Sequence, residues 1–175
     1  MRRREHYIID GYNLIHAWPE LKALQSNLSE ARDRLIHVLS EYGAYENLDI
    51  TIVFDALFTE DEEHTEKPHQ HLEIIYTGAG ETADSRIERI AYASVRRGRE
   101  VHVVSSDGAV ESVILGAGAY RHPSAEFRRA VRKAKKQIQQ EYLGPVILPL
   151  ARNEVGGQLD ADTSAKLDAF RKRRD

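Results

Sequence analysis

Four short apolar runs, separated by stretches with helical periodicity, constrain this chain more than any other feature. The runs are Tyr7-Ile8-Ile9, Ile50-Thr51-Ile52-Val53-Phe54, Leu72-Glu73-Ile74-Ile75-Tyr76 and Val101-His102-Val103-Val104. Runs this short and rich in β-branched residues read as buried strands, and strands alternating with helices imply an α/β domain with a mainly parallel sheet. Between the first two runs, Ser29 can cap a helix whose apolar positions Ala31, Leu35, Val38, Leu39 and Tyr42 recur at spacings of three and four, with Gly43 suited to its end. Between the third and fourth, Thr82 can cap a helix with Ala83, Ile87, Ile90, Ala91 and Val95 on one face, stopped at Gly98. A shorter helix is expected over Ala109 to Leu115, and Tyr120-Arg121 reads as a small fifth strand. Ser124 then caps a long helix to about Tyr142, with Phe127, Val131, Ala134 and Ile138 facing inward.

Length and composition limit what these elements can build. At 175 residues and 41% hydrophobic content, the chain holds one domain with enough apolar surface for a core. After Gly144 the pattern changes: Pro145 to Leu150 looks extended, Gly156-Gly157 reads as a joint, and Asp162 to Arg174 can form a short basic helix. The expected organisation is therefore a folded domain over residues 1–143 and a C-terminal extension over 144–175. The absence of cysteine excludes disulfides, thiolate metal sites and a cysteine nucleophile. Tyr7 to Ile9 is too short for a signal-peptide core, and no window has the roughly 18 apolar residues of a membrane span, so a cytoplasmic protein without membrane contact is expected.

Three of the four runs end in aspartate: Ile9-Asp10, Phe54-Asp55, and Val104-Ser105-Ser106-Asp107. In a parallel sheet these carboxylates share one edge, where open α/β sheets bind their ligands. The loop after the remaining run adds Glu81 and Asp84 at the start of a helix. Like charges at close range are costly unless a cation neutralises them or some are protonated. Oxygen ligands without cysteine or paired histidines favour Mg²⁺ or Mn²⁺, and Mg²⁺ sites of this kind take up phosphate oxygens, so a phosphodiester substrate is implied. Taken singly, an aspartate after a strand is more often a turn former or helix N-cap, and Asp107-Gly108 fits that description. Convergence of several on one edge outweighs that reading.

With these residues in view, Asp10-Gly11-Tyr12-Asn13, Phe54-Asp55-Ala56, Glu81-Thr82-Ala83-Asp84 with Ile87-Glu88, and Ser105-Ser106-Asp107 resemble the ordered motifs of NYN nuclease domains, relatives of the PIN nucleases, most closely the bacterial YacP-like branch. The resemblance runs from about Tyr7 to Leu143. It implies a PIN-like three-layer α/β/α sandwich with a central sheet of four to five strands, and metal-dependent endonucleolytic cleavage of RNA. That branch includes ribosome-associated mRNA endonucleases, so mRNA and the ribosome are the implied partners. By the same resemblance Asp10, Asp84 and Asp107 are the metal-binding acids, Asn13 and Asp55 shape the site, and Glu81 is an additional member. Many PIN relatives carry another acid two residues after the last aspartate, where this chain has Ala109.

Charge along the chain suits such a substrate. Arg121 to Gln140 holds seven basic residues against the single acid Glu126, although the whole chain has a net charge of −3. Arg128, Arg129, Arg132, Lys133, Lys135 and Lys136 on the long helix are candidate phosphate contacts, the alternative being an ordinary solvated face. Tyr12, His16 and Trp18 are candidates for stacking on a base, though packing is their commoner use. His64, His69 and His71 raise a weaker zinc reading, in an acidic segment expected to be an exposed loop. Two rivals remain. Gly78-Ala79-Gly80-Glu81-Thr82-Ala83 formally fits a dinucleotide fingerprint, but Glu81 and Asp84 would cancel the helix-terminus charge that a pyrophosphate needs. The other is a non-catalytic RNA- or ribosome-binding module. A phosphatase with an aspartyl nucleophile is disfavoured by Tyr12, where a second aspartate is expected.

Overall fold

The computed structural model of the chain describes residues 2–56 and 62–142. Its strands are β1 (His6–Asp10), β2 (Asp49–Phe54), β3 (His64–His69), β4 (Leu72–Tyr76), β5 (Val101–Val104) and β6 (Tyr120–His122). Its helices are α1 (Gly11–His16), α2 (Pro19–Lys22), α3 (Leu28–Glu46), α4 (Ala83–Arg96), α5 (Gly108–Ala117) and α6 (Ser124–Tyr142). The strands form one sheet in the order β3-β4-β2-β1-β5-β6, parallel throughout except for the antiparallel β3–β4 pair. All the expected strands are present, and the sheet has six strands rather than four or five.

The extra strand is β3, in the segment read from sequence as a loop. Its residues His-Thr-Glu-Lys-Pro-His carry no apolar alternation and are exposed at all but the first position. Pro68 is tolerated because β3 is an edge strand whose register with β4 slips between Glu66 and His69. Backbone pairing with β4, not side-chain burial, makes this a strand, so a hydrophobicity pattern could not reveal it.

Strand residues alternate between two cores, and this produces the three layers. Ile9, Ile52, Phe54, Ile74 and Val104 face α1, α2, α3 and the first turns of α6, where they meet Leu14, Leu35, Leu39, Phe127 and Val131. Ile8, Val53, Ile75 and Val103 face the other way, onto Ile87 and Ala91 of α4 and Val110 and Ile114 of α5. Fully burying one such aliphatic side chain contributes about 1.5–3 kcal/mol, so the two cores dominate the stability.

Local signals placed most helix ends correctly but not all. Thr82 caps α4 by accepting from the Ser85 N–H. α3, however, begins after Asn27, which accepts from the Glu30 N–H, and it ends at Asn47 in the left-handed conformation rather than at Gly43. Gly43 instead lets the helix pass close to the sheet: a Cβ there would lie 2.9 Å from Ile50 Cδ1. Ser124 is the first residue of α6, and its hydroxyl bonds to Asn13 rather than capping its own helix. Ile138 is half-buried, whereas Phe127, Val131 and Ala134 are buried.

By compactness the chain divides into two units, Met1–Ala134 and Lys135–Asp175. Described residues of the second unit are the final turns of α6, and the expected basic helix over Asp162 to Arg174 lies outside the described residues.

Candidate functional site

The parallel order of β2, β1 and β5 brings three strand ends to one edge, and each delivers an aspartate there. Asp10 ends β1 and caps α1, with Oδ1 accepting from the Asn13 N–H at 3.3 Å. Asp55 follows β2, and its Oδ2 accepts from the Ala83 N–H at 3.1 Å. That bond fastens the first turn of α4 to the end of β2, and so brings the next residue, Asp84, to the same edge. Asp107 lies three residues beyond β5 and caps α5 through a 3.0 Å bond from the Ala109 N–H; the Ser105 hydroxyl holds its own N–H at 3.2 Å. The bland and functional readings of Asp10 and Asp107 are therefore compatible: each is an N-cap and each belongs to the shared edge.

Electrostatics record the convergence. Burial pushes the Asp10 carboxyl up to about 6, against the hydrogen bond from Asn13, and the charges of Asp84, Asp107 and Asp55 push it further the same way. Asp84 is raised first by burial and then by the nearby Asp107 side chain, with the charge of Asp55 adding to it. Like charges this close disfavour one another, and a cation can relieve that repulsion. All donors at this edge are hard oxygens, which suit Mg²⁺ or Mn²⁺. Among the described residues, the group of three His or acid ligand atoms lying within 4.8 Å of one another is Glu5, Glu100 and His102, elsewhere in the fold, and the aspartates do not come together that tightly.

Asn13 joins three elements beside this cleft. Its Oδ1 accepts from the Ser106 N–H at 2.9 Å and from the Ser124 hydroxyl at 2.6 Å, and the Ser124 N–H donates to the Ser106 hydroxyl at 3.0 Å. α1, the β5–α5 connection and the start of α6 are thereby fixed to one another. Ser124 is fully buried. Sequence reasoning missed the parts played by Ser106 and Ser124, because the serine partners lie 93 and 111 residues from Asn13 and no local pattern marks such a bond.

Other sequence candidates are placed differently. Glu81 accepts two bonds from Arg86 at 2.7 Å and one from Arg89 at 2.9 Å, and the Arg86 bonds lower its pKa. It is thus tied to arginines and is not among the groups acting on Asp10 or Asp84. On α6, Arg128 donates to the Ala17 carbonyl at 2.8 Å and Arg132 pairs with Glu20 at 2.8 Å, whereas Arg129 and Lys133 are exposed, as are Lys135 and Lys136 in the second unit. Tyr12 and Trp18 are buried, with Tyr12 packed on Phe54 and its hydroxyl accepting from Arg32, so stacking on a base falls to neither; His16 is exposed. His64 bonds the Glu62 carbonyl and stacks on Tyr76, while His71 bonds Asp49, so these two imidazoles are engaged separately.

Known proteins match both the sequence and the architecture. The model of the YacP-like NYN domain matches residues 7–172. The uncharacterized protein YacP of Bacillus subtilis (strain 168) is 39% identical over 133 residues, covering 75% of this chain and 78% of that protein. The crystal structure of Rae1 (YacP) from Bacillus subtilis superposes with a TM-score of 0.70 at 32% identity, covering 97% of this chain and 94% of that one. A crystal structure of a tryptophan-to-leucine mutant of the same Bacillus subtilis protein gives 0.72 at 34% identity, covering 95% of this chain and 99% of that one. The six-stranded, mostly parallel sheet between helical layers, the ordered aspartates at its edge and these matches agree: the chain belongs to the YacP-like NYN domain family, a nuclease family of PIN-like fold.

Proposed function

We propose that this protein is a divalent-metal-dependent endoribonuclease that hydrolyses RNA phosphodiesters, acting in the cytoplasm on mRNA in association with the ribosome. Residues 1–143 are its nuclease domain and 144–175 an extension. The observation that carries this reading is the meeting of Asp10, Asp55, Asp84 and Asp107 at one sheet edge, where burial and mutual repulsion raise Asp10 and Asp84. In this reading Asp10, Asp84 and Asp107 hold Mg²⁺ or Mn²⁺. When bound, such a cation supplies positive charge to the phosphate oxygens and makes water a better nucleophile.

The chain's own residues supply position. Asp55 anchors the start of α4, so that Asp84 stays at the edge. Asn13 keeps the Asp107 loop against α1 through Ser106. Glu81, held by Arg86 and Arg89, stiffens the approach to α4 instead of offering a free carboxylate. Arg129 and Lys133, exposed on α6, offer salt-sensitive contacts to the RNA backbone, with Lys135 and Lys136 continuing the basic run. Arg128 and Arg132 contribute chiefly through their bonds to Ala17 and Glu20.

The test is incubation of pure protein with end-labelled RNA, with and without ribosomes, in Mn²⁺, Mg²⁺ or EDTA. Fragments with internal ends should appear with metal and vanish on chelation. Asp84→Asn should abolish them while leaving RNA binding intact. Undiminished cleavage in EDTA, or by Asp84→Asn, would overturn the proposal.

A further inference from the structure

At the other end of the sheet, where β1 and β5 begin, a different group of ligand atoms gathers. We propose that Glu5, Glu100 and His102 form a second metal site, separate from the aspartate edge, which takes zinc or a similar borderline transition ion. Glu5 and Glu100 immediately precede two adjacent parallel strands whose register pairs His6 with Val101, so both carboxylates leave the sheet at the same edge. His102 is the second residue of β5. Its Nε2 lies 3.2 Å from Glu100 Oε1 and 3.6 Å from Glu5 Oε2, and the three ligand atoms are all within 4.8 Å of one another. Ligands about 2.0–2.2 Å from a tetrahedral zinc stand about 3.4 Å apart, and the two imidazole–carboxylate spacings, 3.2 and 3.6 Å, bracket that value.

The imidazole is also held in one orientation. His102 is 8% exposed, stacked on Tyr7 at 4.6 Å between centroids and on Tyr120 at 5.1 Å. Its second nitrogen, Nδ1, lies 2.8 Å from His122 Nε2. A metal on Nε2 selects the tautomer in which Nδ1–H donates to His122, so that His122 fixes the ring orientation as outer partners of metal-binding histidines do. Without a metal, a neutral His102 presents at most one N–H to two carboxylates, and among the described residues the arginine ion pair to these carboxylates is Arg2 with the outer Glu100 oxygen, at 3.9 Å. A divalent ion serves both carboxylates at once. One imidazole with two carboxylates selects zinc over Mg²⁺, which prefers oxygen, and leaves the fourth position to water.

The test is equilibrium dialysis of the full chain against Zn²⁺ alone, with bound metal counted by mass spectrometry. The background is Asp10→Asn with Asp84→Asn and Asp107→Asn, so that none of the three proposed metal-binding aspartates contributes. One zinc per chain is expected there, with affinity lowered about 100-fold or more by Glu5→Gln with Glu100→Gln, and about 10–100-fold by His122→Gln. On protein of unaltered sequence, ¹⁵N spectra of the histidine rings should show Zn²⁺ shifting His102 Nε2, a readout that does not depend on any variant folding. An unshifted His102 resonance, absence of stoichiometric zinc in that background, or equal affinity after Glu5→Gln with Glu100→Gln would each overturn the site. Because the proposed metal ligands of the aspartate edge are neutralised in that background, failure here leaves the nuclease proposal untouched.

Discussion

If the aspartate edge is electrostatically unfavourable without metal, removing one of its charges should stabilise the fold. Asp10→Asn is the cleanest perturbation. Asparagine caps a helix about as well as aspartate and can still accept from the Asn13 N–H, so the local structure at the start of α1 is preserved. The carboxyl of Asp10 is raised from the ordinary 3.8 to about 6. A tenfold change in proton affinity is worth about 1.4 kcal/mol, so ionised Asp10 costs the folded state up to about 3 kcal/mol. The sign follows from which state holds the proton more tightly. Below pH 4 Asp10 is protonated in both states and the penalty is absent; between pH 4 and 6 the unfolded chain releases the proton first; above pH 6 the full penalty applies. In EDTA, urea titrations followed by circular dichroism from pH 4 to 8 should find the variant no more stable than the native chain at pH 4. It should be more stable by about 2–3 kcal/mol at pH 8. Adding Mn²⁺ should narrow the gap, because only the native site gains from the ion. A variant less stable than the native chain at pH 8, or a gap that ignores pH, would refute the claim that Asp10 is buried among like charges.

Other outcomes test neighbouring parts of the argument. His6 is buried between Ser94 and Thr51, and burial, aided by the charge of Arg99, lowers its pKa to about 4. Its stabilisation is therefore present above pH 6.5 and lost as pH falls toward 4, by about 3 kcal/mol, and His6→Gln should flatten that part of the native stability profile. Ser124→Ala removes one of two donors to Asn13 Oδ1 and should cost about 1–2 kcal/mol in urea unfolding, with metal-dependent RNA cleavage falling more than RNA binding. Gly11→Ala would put a Cβ 2.3 Å from Phe54 Cε1, in a core ring stacked on Tyr76, so a loss of about 1–3 kcal/mol is expected from thermal or urea unfolding. An unchanged midpoint would mean that Phe54 has room to move.

Much of the candidate site was legible in the sequence because strand ends are local events. An apolar run followed by aspartate marks a residue at the end of a strand, and parallel topology is implied by intervening helices. Asp10, Asp55 and Asp107 follow from that reasoning alone. Asp84 was legible as the start of a helix, but its approach to the others depends on the bond between Asp55 and the Ala83 N–H, 28 residues apart. Glu81 looked equivalent to Asp84 in sequence; Arg86, five residues onward, decides otherwise by curling back onto it. Arg128 and Arg132 likewise looked like Arg129 until the partners Ala17 and Glu20 were in place.

By itself, the sequence determined the strands with apolar faces, most of the helices and the chain order of the acids, since these depend on periodicity and on residues a few positions apart. Only the tertiary structure decided that β3 pairs as an edge strand, that Asn13 ties Ser106 to Ser124, and that Glu5, Glu100 and His102 meet. Each of those depends on backbone or polar groups brought together by the folding of distant segments onto one another. Such bonds are directional and short-ranged, and they leave no periodic trace in the segments they join.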